Sequence, residues 1–290
     1  MRFLSSKPWL NGLVGVLIFS GSLPATRLAL QDFEPLFLTY ARASIAGLAG
    51  ILCLWAARQS WPRRDDVAGL CLTALGVVVG FPLLTALALQ QMSAARGLLY
   101  IALLPVATAV FAVVRAAERP RPAFWLFSCV ASGLVMGFAL SVGPIEGSWA
   151  GDAAMFAAIT VCGLGYAEGG RLSRHLGGWQ VICWALLLAL PVMLPLAWAA
   201  WPERWEATSG ASIAALLYVG LFSMLIGFIF WYRGLADGGI ASIGQLQFLQ
   251  PFLGLMLSAA ILGERISPDL IVVMVLVVSC VAGTRRFARA

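Results

Sequence analysis

Long apolar runs, broken by short polar stretches, occupy almost the whole chain. Ten of them read as membrane spans: Trp9–Leu30, Pro35–Ala57, Val67–Leu89, Ala94–Val114, Ala123–Val142, Gly151–Leu172, Trp179–Trp201, Ala211–Tyr232, Ile240–Leu262 and Asp269–Ala282. Crossing a bilayer core takes about 20 apolar residues at about 1.5 Å of rise each. The last run is short by that measure and can extend to Gly283 or Thr284. Most connections are a few residues long and leave no room for a soluble domain. The first run follows Arg2 and Lys7 and is too long for the core of a cleaved leader, so it is expected to remain as the first membrane helix.

The same sequence features return at a fixed distance. Pro105 and Pro251, Glu118 and Glu264, Arg119 and Arg265, and Pro122 and Pro268 are each 146 residues apart. Leu89/Leu235, Ala95/Ala241 and Leu103/Leu249 keep the same register without a gap. Such an echo indicates an internal duplication. Five spans fall in each half. Because five is odd, the second half must enter the membrane upside down. The expected fold is therefore an all-α integral membrane protein of ten helices, built as two inverted five-helix repeats over residues 1–147 and 148–290. Inverted repeats can rock against each other around a site near the midplane, which is a physical recipe for alternating access.

Composition supports this reading: 61% of residues are hydrophobic and only 11% are charged, against about 25% charged in soluble domains. The net charge of +6 does not point to nucleic acid, because the basic residues are scattered singly between apolar runs. Their distribution instead orients the chain. With both termini inside, 14 of the 19 basic residues fall in inner loops or ends and four in outer loops, leaving Arg42 within a span. The positive-inside rule then places both termini in the cytoplasm of a bacterial-type inner membrane. The six cysteines lie inside apolar runs without CxxC spacing, and His175 is the lone histidine. No metal site and no cofactor are expected.

The chain resembles the EamA-type, ten-helix branch of the drug/metabolite transporter superfamily. The resemblance is carried by FSGSLPATRLAL (Phe19–Leu30), TYARASIAGL (Thr39–Leu48) and ALQQMSAARGLLYIALLPV (Ala88–Val106). It is strongest in FWYRGLADGGIASIGQLQFLQPFLG followed by LGER. It departs where Ser20 precedes Gly21 and where Ala117-Glu118-Arg119 stands in place of Gly-Glu-Arg. The resemblance implies secondary transport of a small organic solute, an amino acid or related metabolite, with export the expected direction.

Several residues are candidates for the solute pathway. Arg42 lies inside the second span, where a charge costs about 2.5–3.5 kcal/mol to insert. It either snorkels to the outer headgroups or faces the path and attracts a carboxylate. Arg96 and Tyr100, spaced i,i+4, share a face near the outer end of the fourth span. Pro105 and Pro251 can break their helices. Tyr166 lies near the inner end of the sixth span, and Trp231 belongs to the FWYRG stretch. Gln247, Gln250, Gly254 and Ser258 form a polar stripe on the ninth span, while the residues 146 earlier (Ile101, Leu104, Thr108 and Ala112) are mostly apolar. Glu168, as the acid within a span, is read either as the helix-surface partner of Arg171 at i+3 or as a proton-coupling carboxylate.

No GxxxxGK[ST] sequence is present, so ATP-driven pumping by this chain is not expected. A membrane-embedded enzyme would need convergent nucleophiles, acids or metal ligands, and the chain offers few. A small-solute channel suits a rocking repeat less well than a carrier does, and a membrane scaffold is the remaining reading of such a chain. The expected partners are a small organic solute, membrane lipid and protons as coupling ion, in a monomer or weak homodimer.

Overall fold

A computed structural model describes residues 7–143, 145–203, 205–262 and 268–288. Among the described residues, ten helices are long and apolar enough to cross a membrane: α1 (Lys7–Ala29), α2 (Pro35–Ala56), α3 (Arg64–Leu89), α4 (Arg96–Ala116), α5 (Pro122–Ser141), α6 (Trp149–Leu176), α7 (Gly178–Ala199), α8 (Gly210–Gly238), α9 (Ile240–Leu257) and α10 (Asp269–Phe287). The hydrocarbon core offers backbone groups no water, so each span must satisfy its own ladder. With ten spans the start of α1 and the end of α10 lie on one side, called here the termini side; the other is the far side. The Gly263-Glu264-Arg265 stretch lies outside the described residues.

Boundaries follow local chemistry. Pro35 and Pro122 open α2 and α5 after extended residues, where a missing N–H costs nothing. Ser93, Ser148 and Ser209 cap the helices that follow them by accepting from the N–H groups of Arg96, Gly151 and Ser212. Gly239, at φ 90°, makes the one-residue turn between α8 and α9, a conformation that side chains disfavour. Most helices run past their expected bounds at one end or both, and α8 ends at Gly238 rather than Tyr232. α3 begins at Arg64 rather than Val67, α6 at Trp149 rather than Gly151, and α10 runs to Phe287 rather than Ala282. Helical polar turns extend the apolar runs at these ends, and at α10 Arg285 lies over the Trp9 ring, 4.6 Å from its centroid.

The duplication is visible in backbone irregularities. α3 carries a π-helical stretch over Ala74–Gly80 and α8 one over Tyr218–Ile226; Gly80 and Ile226 are 146 residues apart. α4 is broken between Ala94–Ile101 and Leu104–Ala116. α9 runs as α-helix over Ile240–Gly244, as a 3-10 turn over Gln245–Leu249, and as α-helix again over Gln250–Leu262. Pro105 and Pro251 each stand second in the later segment. The paired prolines therefore mark real breaks rather than gentle curvature. α1 is also interrupted, at Gly21.

The main core runs through both repeats, from Val16 and Phe19 to Trp231, Tyr232 and Phe252. A second apolar cluster gathers Phe33, Phe37 and Leu216 on the far side. Leu52, Trp55, Val114, Leu126 and Trp198 are exposed, as lipid-facing residues should be. Cys53 and Cys129 are exposed as well, so the cysteines are not uniformly buried.

Candidate functional site

Aromatic rings from three helices meet in the interior. Phe19 of α1 lies 5.0 Å from Phe228 and 6.1 Å from Trp231 of α8. Tyr166 of α6 packs edge-on against Trp231 at 5.5 Å and against Phe228 at 6.0 Å. The Arg42 guanidinium of α2 is within electrostatic reach of Tyr166. The structure thus brings together Arg42, Tyr166 and Trp231, three of the residues singled out from the sequence, in an amphipathic cage.

This interior holds polar atoms with nothing to bind. Arg42 Nε, Trp231 Nε1 and both amide atoms of Gln247 are sealed from solvent and lack a hydrogen-bond partner among the described residues. An orphaned buried polar group costs about 1–3 kcal/mol. Folded proteins keep few of these, and those that persist call for a reason such as a ligand. The Arg42 side chain as a whole remains partly accessible, so the cage is not shut off.

The carbonyls freed at the helix breaks are satisfied by side chains from both repeats. Ser132 Oγ of α5 donates to Ala102 O at 2.9 Å, and Gln245 Nε2 donates to Pro105 O at 3.3 Å. Ser128 Oγ in turn donates to Gln245 Oε1 at 2.8 Å. Ser20 Oγ, beside Phe19, reaches Gln250 O at 3.3 Å. Sequence spacing misses Gln245, because the stripe presumes an α-helical repeat. In the 3-10 turn, side chains three apart eclipse, which sends Gln245 and Gln247 in different directions. Gln247 and Gly254 are buried and Gln250 is partly exposed; the Ser258 side chain is outside the described residues.

On the far side, Arg96 does more than mark the border. It holds Asp152 of α6 in a fork, Nε to Oδ1 at 2.8 Å and Nη2 to Oδ2 at 2.6 Å, and the Tyr100 hydroxyl also reaches Asp152. The start of α6 at Trp149 puts Asp152 in the first helical turn. The far-side turns form two separate clamps. The α3–α4 turn bonds to the α5–α6 linker through Ser93 N to Glu146 O and Ser148 N to Gln91 O. The α1–α2 turn bonds to the start of α8 through Asp32 and Ser209. These bonds hold the Asp32 carboxyl below the ordinary carboxylate range, the Ser209 hydroxyl contributing most.

On the termini side, Glu168 is fully buried between Arg171 Nη2 at 2.6 Å and Arg115 Nε at 3.0 Å. Its i+3 partner is as expected, but it does not sit on the helix surface, and Arg115 of α4 was not foreseen. Nor is Glu168 alone among span acids: Asp66, in the first turn of α3, meets His175 Nε2 at 2.9 Å. Glu118 accepts from Arg174 Nη2 at 2.6 Å and from the N–H groups of Ile240 and Ala241 at 2.8 and 2.9 Å.

The two broken helices bracket the site. The termini-side half of α4 (Leu104–Ala116) packs closely on the start of α9 (Ile240–Gly244), while the far-side halves (Ala94–Ile101 and Gln250–Leu262) share no extensive packing among the described residues. Among the described residues, no cluster of metal-binding side chains is present.

Ten spans in two inverted repeats, with broken helices and an interior polar cage, define a membrane protein with the architecture of a transporter. The chain belongs to the EamA-like transporter family, whose model matches residues 7–140 and 149–285; it is a transporter. It is 60% identical over 283 residues, 97% of this chain and 98% of the relative, to the uncharacterized transporter YdeK of Bacillus subtilis (strain 168). It is 25% identical over 261 residues, 90% of this chain and 87% of the relative, to a probable terminal-alkyne amino-acid exporter of Streptantibioticus cattleyicolor. A solved crystal structure, 20% identical, superposes with a TM-score of 0.82 over 96% of this chain and 98% of that one. At that identity the likeness shows the fold alone.

Proposed function

We propose that this transporter is a secondary carrier that exports a small carboxylate-bearing organic solute of the amino-acid class by alternating access. The observation that carries the reading is the set of unpartnered polar atoms on Arg42, Trp231 and Gln247. A half-buried guanidinium that no carboxylate pairs among the described residues is a ready partner for an anionic solute group. The rings of Phe19, Tyr166 and Trp231 offer apolar surface for the rest of the molecule. The absence of a basic cluster among the spans disfavours sugar phosphates. The packing of α4 on α9, which lies in their termini-side halves, supports a far-side-open state of an alternating cycle. The basic asymmetry of the loops supports termini in the cytoplasm of a bacterial inner membrane, and the relative named as an amino-acid exporter supports the direction.

Protons remain the proposed coupling ion, but Glu168 is better read as a structural tie, because two guanidiniums already balance its charge. The test is counterflow in proteoliposomes with a panel of labelled amino acids, their amides and their decarboxylated amines. Exchange of one or more amino acids, with no exchange of the matching amines, is the expected result. Exchange of the amines at equal rates, or of none of the panel, overturns the reading.

A further inference from the structure

The start of α9 lacks a cap of its own. The residue before it is Gly239, which has no side chain to offer, whereas Ser93, Ser148 and Ser209 cap their own helices. The first N–H groups of α9 are instead satisfied by Glu118, which belongs to the other repeat and lies 122 residues away. Both carboxylate oxygens are used: Oε1 accepts from Ile240 and Oε2 from Ala241, while Arg174 of α6 fixes the carboxylate from the side. A carboxylate against a helix N-terminus is favoured by the helix dipole as well as by these bonds.

The contact sits where the two broken helices meet. Glu118 follows the end of α4, and Ile240 begins α9. Packing between these two helices is confined to their termini-side halves, below the breaks at Pro105 and Pro251. Opening the termini side requires those halves to part. The other termini-side ion pairs do not reach α9: Glu168–Arg115–Arg171 and Asp66–His175 join α6 to α4 and α3. Glu118 alone among these acids reaches across to α9. A recess of about 480 Å³ lined by Glu118, Arg174, Gly239 and Ser242 adjoins the contact, so water can take over both groups once it breaks.

We infer that Glu118 is the latch of the termini-side gate: a cap lent by one repeat to the other, which must be released before solute can pass on that side. The inference rests on the alternating-access reading above. Its test reads conformation with no solute present, so its failure is separable from failure of the transport assay.

In a protein with the six native cysteines replaced by alanine, Ser242→Cys places a thiol in the first turn of α9, where Ser242 is 6% exposed. Membrane-impermeant maleimide is applied in vesicles of each orientation, with protease access to a C-terminal tag fixing the side. Adding Glu118→Ala should raise labelling from the termini side at least tenfold. It should also lower labelling of Gln250→Cys from the far side by threefold or more, since opening one gate closes the other. No rise at Ser242→Cys overturns the latch. A rise without the far-side fall also overturns it, because that pattern means local fraying of α9. If Glu118→Ala does not reach the membrane, Glu118→Gln, which keeps an acceptor oxygen but drops the charge, is read by the same two criteria with a smaller rise.

Discussion

Arg42→Gln separates function from stability, because the two should move in opposite directions. Arg42 carries a charge inside a span with its Nε sealed and unpartnered, and no ion pair holds it among the described residues. Inserting such a charge costs about 2.5–3.5 kcal/mol. The side chain keeps some accessibility, so only part of that cost is recovered on neutralisation, about 1–2 kcal/mol. The empty carrier should therefore become more stable. The solute should bind worse: a hydrogen bond between charged groups is worth about 1.5–3 kcal/mol, which corresponds to about a 10- to 150-fold rise in the apparent KM. Thermal unfolding in detergent and counterflow KM for the same preparation read both quantities. A lower melting temperature with unchanged KM would refute the argument, since it would make Arg42 a structural residue satisfied by its surroundings.

Glu168→Gln should cost about 1–3 kcal/mol of stability, less than a fully buried pair would, because Arg171 and Arg115 are still 37% and 40% exposed. Thermal unfolding checks this, and a shifted pH profile of transport at unchanged stability would instead put Glu168 in proton coupling. Asp32 is an exposed group whose pKa is lowered from 3.8 by its bonds to Ser209. The clamp therefore contributes stability in full above that value and loses it as pH falls through the lower, folded-state value. Melting curves of the wild type and Asp32→Asn should differ at neutral pH and converge in strong acid. Gln250→Cys should react with a small water-soluble thiol reagent from the far side and be protected by saturating solute; inertness would remove it from the path.

The duplication and the span count were legible because lipid imposes a length and a polarity on every span, and because a fixed register survives in Pro105/Pro251 and Glu118/Glu264. Arg42, Tyr166 and Trp231 were legible as exceptions, either charged or polar in apolar text. Partners across the fold were not. Nothing local to Arg96 points to Asp152, and nothing in the spacing of Glu118 points to Ile240, since each contact joins different helices. Gln245 escaped because a 3-10 turn changes the direction of side chains without changing the hydrophobic pattern. The π stretches were equally silent: an extra residue in the ladder leaves an apolar run apolar.

Those π stretches have a consequence for how the chain tolerates length changes. A π turn holds one residue more than the α-helix it interrupts, and removing that residue lets the ladder close in regular form. The far-side ends of α3 and α8 are thus turned by about 100° relative to an unbroken helix. Deleting one residue within 74–80 would let the ladder close as regular α-helix while Phe81–Leu89 keeps the face it presents now. The same deletion in a regular helix such as α2 would simply push every later side chain out of register. The two bulges act as built-in rotational offsets, placed in matching helices, that set which face of each far-side segment looks inward.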